Sequence, residues 1–321
     1  MSAGILRTPQ SGATDPTLVH DPSTGRWWMF TTLRRPHDDG PGVRWVHGSS
    51  IGIATSDDDG ATWSDRGAAH GLPDADTCWA PEVVRVDDGW RMFLTVVDGV
   101  PSSWDGASGH VVEFRSRDLE RWERVGTVDL RSDRVIDACV ARCDDGRWRL
   151  WAKDEHRGSC TVVASSADLV TWTHEGVAVP ATPPHEGPVV FRLGRWWWMV
   201  TDEWRGLAVH RSPDARQWTR QSTGGGLVLD RPGRAPDDTE IGHHASVVVA
   251  ASGQPHGVLV YFTHPGGPGT RESAVHFASV RVESDVLVVD RDDVGAHPLA
   301  GMVDRGVPRP TRDAVVAGSA A

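Results

Sequence analysis

The chain has 321 residues, a formal net charge of −11 and a pI near 5.7, which argues against nucleic acid or an anionic membrane surface as a partner. Residues 1–12 hold no basic stretch followed by an apolar run, and no segment reaches the length of a membrane span, so a cytoplasmic location is expected. Cys78, Cys139, Cys143 and Cys160 are then expected as reduced thiols, and the Cys139/Cys143 pair lacks the second pair that a zinc site needs.

In chain order, Asp15-Pro16-Thr17-Leu18-Val19 opens a short strand, and Trp27-Trp28-Met29-Phe30 a second one across a turn. Residues 34–50 follow as a long loop rich in Pro, Gly, Asp and His; loops of that length in a compact domain are often functional, and Arg34 is read as substrate-binding. Thr77-Cys78-Trp79-Ala80-Pro81-Glu82 begins the next unit, with Trp90-Arg91-Met92-Phe93-Leu94 after it. Trp79 is read either as a platform for a sugar face or as an ordinary buried Trp. The loop 99–109 carries Trp104 and Asp105 and is expected at a pocket rim.

Val135-Ile136-Asp137-Ala138-Cys139 then places an Asp in apolar company, costly as an isolated charge. Trp148-Arg149-Leu150-Trp151 is its partner strand, and Lys153-Asp154-Glu155-His156-Arg157 reads as a solvated loop, with Lys153 or Arg157 in reach of a rim. Pro184-His185-Glu186-Gly187-Pro188-Val189-Val190 and Trp196-Trp197-Trp198-Met199 form a hairpin, followed by Thr201-Asp202-Glu203-Trp204. His243-His244-Ala245-Ser246-Val247 and Val258-Leu259-Val260-Tyr261-Phe262 repeat the phrase a fifth time. Residues 274–290 alternate apolar and polar as closing strands, the ring being completed by the N-terminal segment, and 307–321 reads as a loose tail.

Five such phrases, spaced 49 to 65 residues apart, predict an all-β chain: one five-bladed β-propeller domain over 1–321, with four-stranded antiparallel blades opening near 15, 80, 137, 186 and 244. Between them, 56–63, 116–122, 166–172 and 212–218 each read as Ser, an Asp two residues on, and a closing Trp. The first of these matches the Asp-box of sialidases and related propellers and is taken as a structural turn. About three-quarters of the sixteen Trp are expected in blade packing. Aligned on the channel axis, the register reads Asp15, Ala80, Asp137, Glu186, His244. Three carboxylates meeting there suit glycosidic bond cleavage, which needs one protonated and one ionised carboxyl.

Asp15-Pro16, Trp79-Ala80-Pro81, Ile136-Asp137, Glu186-Gly187-Pro188 and 242–247 together resemble glycoside hydrolase family 43 and its five-bladed relatives, over residues 13–290. The resemblance implies Asp15 as general base, Asp137 as pKa modulator and Glu186 as general acid. It implies an inverting, exo-acting enzyme on terminal α-L-arabinofuranosides or β-D-xylosides of small oligosaccharides. His185 is similar to a histidine that serves as acid in anhydrogalactosidase relatives, so the acid is Glu186 or His185. His243 is read as substrate-binding. His244 matches a histidine near a central cation or water cluster, where calcium or another hydrated cation can be held through waters; no cofactor is required. A sialidase is set aside because the sole tyrosine, Tyr261, lies on a second strand. A glycoside phosphorylase would need a basic patch at the axis, and a binding propeller recruited to another pathway would have lost an axial carboxylate.

Overall fold

The computed structural model describes residues 12–304 apart from Pro268, so the 307–321 tail lies outside the described residues. Turn residues at every hairpin and apolar-polar alternation in each segment favour short antiparallel strands. Twenty-two strands result, and among the described residues the helical turns amount to one 3-10 turn at Thr223–Gly226. Blade 1 consists of β1 (Ala13–Asp21), β2 (Arg26–Leu33), β3 (Ser50–Ser56) and β4 (Ser64–Ala68). Blade 2 is β5 (Thr77–Val86), β6 (Gly89–Val97), β7 (Gly109–Ser116) and β8 (Glu123–Thr127). Blade 3 is β9 (Val135–Arg142), β10 (Trp148–Asp154), β11 (Cys160–Ser166) and β12 (Thr173–Val179). Blade 4 is β13 (Glu186–Leu193), β14 (Trp196–Asp202), β15 (Leu207–Ser212) and β16 (Thr219–Arg220), with β17 (Leu227–Val228) also on β15. Blade 5 is β18 (His243–Ala250), β19 (His256–Thr263), β20 (Ala274–Glu283) and β21 (Val286–Asp290).

Each first strand packs against the first strands of both neighbouring blades, and β1 against β18, which closes the five-bladed ring. β1 is blade 1's own inner strand, and residues 1–11 of the N-terminal segment expected to complete the ring lie outside the described residues. Residues from the C-terminal side strap the seam. His297 Nδ1 lies 2.9 Å from the Asp58 carbonyl and the Leu299 N–H donates to the Asp59 carbonyl at 2.9 Å. The chain then pairs as β22 (Met302–Asp304) with the far end of β18.

Twelve of the sixteen Trp pack in the cores between blades, as the apolar excess of the sequence requires. In the Ser-x-Asp turns the Asp carboxylate caps the backbone: Asp118 Oδ1 accepts from the N–H groups of Glu120 and Arg121 at 2.9 and 2.8 Å. The Trp closing each turn reaches the preceding blade. Trp122 meets Phe30, Trp172 meets Phe93 and Trp218 meets Trp151, all edge-on, while Trp63 stacks on Phe277 across the seam. Aromatic contacts of this kind add about 0.5–1.5 kcal/mol beyond area burial.

One local feature recurs in all five inner strands and decides where the site lies. Each carries a β-bulge near its start, with a residue in the left-handed region: Asp15 (φ 51°), Ala80 (47°), Asp137 (59°), Gly187 (55°) and His244 (21°). Bulges re-aim a side chain at the cost of backbone strain. The bulge N–H groups are held by side chains: Ala80 donates to Thr32 Oγ1 at 2.8 Å, Asp137 to Thr95 Oγ1 at 2.9 Å and His244 to Asp202 Oδ2 at 3.2 Å.

Candidate active site

The expected register is off by one in blade 4. Gly187, not Glu186, occupies the bulge, so the axial set is Asp15, Ala80, Asp137, Gly187 and His244. Glu186 is the position before it, in cross-strand register with Asp202. The gap left by Gly187 is used: a Cβ there would meet His244 Nδ1 at 2.9 Å.

Asp15, Asp137 and His244 form the floor. Asp15 Oδ2 accepts from Thr14 Oγ1 at 3.1 Å and Oδ1 lies 3.5 Å from His244 Nδ1. Burial alone would raise the Asp15 carboxyl, but the charges of His244 and Arg34 and the hydroxyls of Thr32 and Thr14 outweigh it and hold it below the usual range. For Asp137 burial wins. With Glu186 and Asp15 adding like-charge repulsion, its carboxyl is pushed up to about 7 despite His244 and Lys153. Its Oδ2 accepts the Gly187 N–H at 3.2 Å. Burial would push the His244 ring down, yet Asp15, Asp137, Glu186 and Asp202 together hold it above its ordinary value. Two carboxyls of one floor are thus driven in opposite directions, the division of labour that acid–base chemistry requires.

Glu186 stands on the wall. Its Oε2 accepts from Lys153 Nζ at 2.8 Å and its Oε1 from Trp204 Nε1 at 2.9 Å, with the ammonium 5.3 Å from the Trp204 ring. Lys153 is the penultimate residue of β10 and only 5% exposed, not part of a solvated loop. In blades 1 and 2 the matching position holds Thr32 and Thr95, which cap the next bulge. In blade 3 the Asp137 carboxylate caps that bulge instead, and Lys153 is left to pair with Glu186. Burial works against the Lys153 charge, but Glu186 and Asp137 outweigh it and raise its pKa.

The opposite wall belongs to blades 4, 5 and 1. His243 Nδ1 lies 2.9 Å from Asp202 Oδ2, and its ring stacks on Phe262. Arg34 sits with its guanidinium 5.6 Å from the Phe262 ring centroid. The rim is aromatic. Trp79 donates through Nε1 to the Val46 carbonyl at 2.7 Å, and His47 lies against both Trp79 and Trp104. The loops carrying these residues touch where the Val43 N–H donates to the Ser102 carbonyl at 3.1 Å. The approach needs Gly42, since a Cβ there would lie 2.1 Å from that oxygen.

Asp15, Arg34, Trp79, Trp104, Asp137, Glu186, His243 and His244 all line one cavity of about 420 Å³, within the range of small-ligand sites. His185 does not. Its ring is buried behind the wall, Nε2 2.8 Å from Thr161 Oγ1 and Nδ1 3.0 Å from the Pro183 carbonyl. With both nitrogens engaged outside the cavity, it is a structural residue and not an alternative acid. Lys153, expected within reach of a rim, also lines the cavity, as do Asp202, Trp204, Phe262 and His264, which were not singled out in the sequence. Arg157 stays outside it, paired with Asp154 at 3.3 Å. Among the described residues no three His, Cys, Asp or Glu side chains are grouped to ligate a metal, and His244 already faces Asp15.

No family model and no curated protein sequence matches this chain. Solved structures do. A thermostable family-43 glycoside hydrolase superposes with a TM-score of 0.68 at 17% identity, covering 88% of this chain and 95% of its own. A xylan β-1,4-xylosidase from Bacillus halodurans C-125 gives 0.64 at 15% identity and covers 88% of this chain, which spans just over half (56%) of that enzyme. A family-43 β-xylosidase/α-arabinofuranosidase from a compost metagenome, in a calcium-free form with xylotriose, gives 0.64 at 12% identity over 89% of this chain and 97% of its own. Among the described residues no helix is long and apolar enough to cross a membrane. At such identities the likeness speaks to architecture: this chain is a five-bladed β-propeller built like those of the family-43 glycoside hydrolases.

Proposed function

We propose that the protein is a glycoside hydrolase. The observation that carries this is the gathering of three carboxyls in one pocket, Asp15 and Asp137 on its floor and Glu186 on its wall, where the surroundings hold Asp15 low and push Asp137 up to about 7. Asp15, ionised and beside His244, is assigned as the base that activates water. Proton delivery goes to Glu186, whose side chain is 25% exposed at the pocket, whereas Asp137 is enclosed and tied to Gly187. Asp137 acts through Glu186: whether it carries a proton sets the local charge against which Glu186 exchanges its own.

Because base and acid come from blades 1 and 4, we assign an inverting reaction, which calls for carboxyls about 6.5–9.5 Å apart with room for water between them. An exo mode is supported by the small cavity and by the two loops that meet over it at Val43 and Ser102. Terminal β-D-xylosides and α-L-arabinofuranosides are the first substrates to try, since structural neighbours are a xylosidase and a xylosidase/arabinofuranosidase holding xylotriose. No step is routed through a cation; chelation is expected to leave turnover intact, and loss restored by calcium would reverse that.

The experiment is a panel of aryl glycosides assayed with the wild type and Asp15→Asn, followed by proton NMR of the first-formed sugar. Turnover lost in the variant, with product of inverted configuration, is the expected result. Retained anomeric configuration would make Asp15 a nucleophile, and no turnover of any glycoside would favour a non-hydrolytic binding propeller.

A further inference from the structure

Two adjacent arginines have opposite fates. Arg35 is fully engaged: its Nε donates to the His47 carbonyl at 3.0 Å, Nη2 to the carbonyls of His47 and Arg44 at 2.7 and 2.8 Å, and Nη1 pairs with Asp38 at 2.8 Å. Arg34 lines the cavity with its Nε buried and without a hydrogen-bond partner; among the described residues its guanidinium makes no ion pair, resting on the Phe262 ring while its charge bears on Asp15 from beyond ion-pair distance. The other basic side chains of the cavity are all committed. Lys153 holds Glu186 and Glu155, Arg134 holds Glu155 and the Trp104 carbonyl, His243 faces Asp202 and His244 faces Asp15. His264, beside Phe262, is engaged with the Glu272 carbonyl and is pushed down to about 4 by burial, so it stays neutral at pH 7.

A buried guanidinium N–H with no acceptor is costly in a folded protein, and it is satisfied best by a planar carboxylate that it can grip with two parallel hydrogen bonds. We propose that Arg34 receives the carboxylate of a uronic acid at the end of the substrate, so that the pocket prefers a terminal uronoside over the corresponding pentopyranoside. This rests on the glycoside reading above. A β-D-glucuronoside is a β-D-xyloside with a carboxylate on C5, so the ring, the scissile bond and the roles of Asp15 and Glu186 are the same for both. The added group meets the one lining cation whose side chain has no hydrogen-bond or ion-pair partner among the described residues. Arg34 lies on the seam side of the ring, over blade 5's Phe262 and away from the Lys153–Glu186 pair, so a carboxylate there does not compete with the acid for Lys153.

The test compares aryl glycosides in pairs that differ only by the C5 carboxylate: β-D-xyloside against β-D-glucuronide, and α-L-arabinopyranoside against β-D-galacturonide. Alongside it, Trp fluorescence titrations with free D-glucuronate, D-xylose and inorganic phosphate measure binding without turnover. The expected result is a uronide preference in kcat/KM of about 10- to 100-fold, the size of a charge-assisted pair. It should collapse toward unity in Arg34→Ala and Arg34→Met, and be partly restored in Arg34→Lys. Circular dichroism confirms that the variants fold. A wild type that prefers the pentosides, or glucuronate that binds Arg34→Ala as well as wild type, overturns the proposal. Phosphate that binds through Arg34 and accelerates pentoside turnover overturns it in favour of phosphorolysis. If no glycoside is turned over while glucuronate still binds in an Arg34-dependent way, the hydrolytic reading falls and the anion site stands.

Discussion

At the outer edge of blades 1 to 4, the turn between the third and fourth strands is the same object four times: a Ser hydroxyl donating to an Asp carboxylate, which in turn accepts backbone N–H groups. At the inner edge the backbone is also repeated, five times, but the side chains on it are Asp, Ala, Asp, Gly and His. In the outer turns sequence and structure are conserved together within the chain, because the side chain itself makes the turn. In the inner bulges the neighbouring blade holds the backbone through Thr32, Thr95, Asp137 and Asp202, so the side chain at the bulge is freed for chemistry. Blade 5 replaces the outer turn with a tight one at Ser284 and Asp285, both left-handed, and Asp285 reaches across to accept from Trp196 Nε1 at 2.8 Å.

That contrast can be broken most sharply at the freed positions. Asp15→Asn, at a bulge, and Glu186→Gln, one residue before one, should each lower kcat by about 10²–10⁴-fold or more, while melting temperatures stay close to wild type. Near wild-type rates in either would remove the assignment. Asp137→Asn tests the raised carboxyl in two ways. The folded protein keeps a proton on Asp137 up to about pH 7, whereas the unfolded chain releases it near the model value of 3.8. The stability it contributes is therefore complete below about 3.8 and declines as pH rises through 7. Denaturant titrations should show wild type losing stability over that window and the Asn variant losing less of it. A pH–rate profile unchanged by the substitution would deny Asp137 its influence on Glu186.

Gly187→Ala attacks a bulge without touching a charged group. A left-handed Ala costs about 1–2 kcal/mol, and its Cβ would also press on the His244 ring, so both stability and rate should fall. Asp118→Ala and Asp214→Ala, at outer turns, should each cost about 1 kcal/mol through lost capping hydrogen bonds, and leave kcat alone. The smallest effect is expected at the bulge that carries no chemistry: Ala80→Gly relieves a left-handed Ala and should raise stability by at most about 1 kcal/mol. A variant that loses activity there would show that the bulge backbone, not its side chain, is the sensitive part.

The blades were legible because each announces itself with a turn and a Trp-rich or apolar second strand, a pattern that the packing between blades enforces. Register at the axis was legible in four blades, at Asp15, Ala80, Asp137 and His244. In blade 4 the carboxylate of Glu186 drew the alignment one residue away from Gly187, whose positive φ is the feature that the other four share. The same alternation along a strand explains His185: neighbours point to opposite faces, so a histidine next to Glu186 faces away from the cavity. Lys153 was placed near the rim but its burial on the strand was missed, because a buried cation at a strand end looks, in sequence, like the start of the charge run that follows it. Axial positions without Arg or Lys therefore did not mean a pocket without them, since Arg34 enters just past the end of β2 and Lys153 from near the end of β10.

The seam gives the ring an unusual gauge of its own integrity. Between blades 1 and 5 no strand is exchanged among the described residues; contact there runs through a buried apolar cluster that includes Leu18, Trp27 and Met29 against Val258, Val260 and Phe262, through Trp63 on Phe277, the strap at 297–304 and the Asp15–His244 pair. Asp15, the proposed base, thus sits at the joint where the ring closes, while Glu186, the proposed acid, sits on the wall made by blades 3 and 4. A molecule that has parted at this joint keeps nearly all its strands and interblade Trp contacts, yet loses the base from the pocket. Under mild denaturant, activity should therefore decay ahead of far-UV ellipticity. On the proposed function, turnover then reads closure of the circle rather than the presence of its blades.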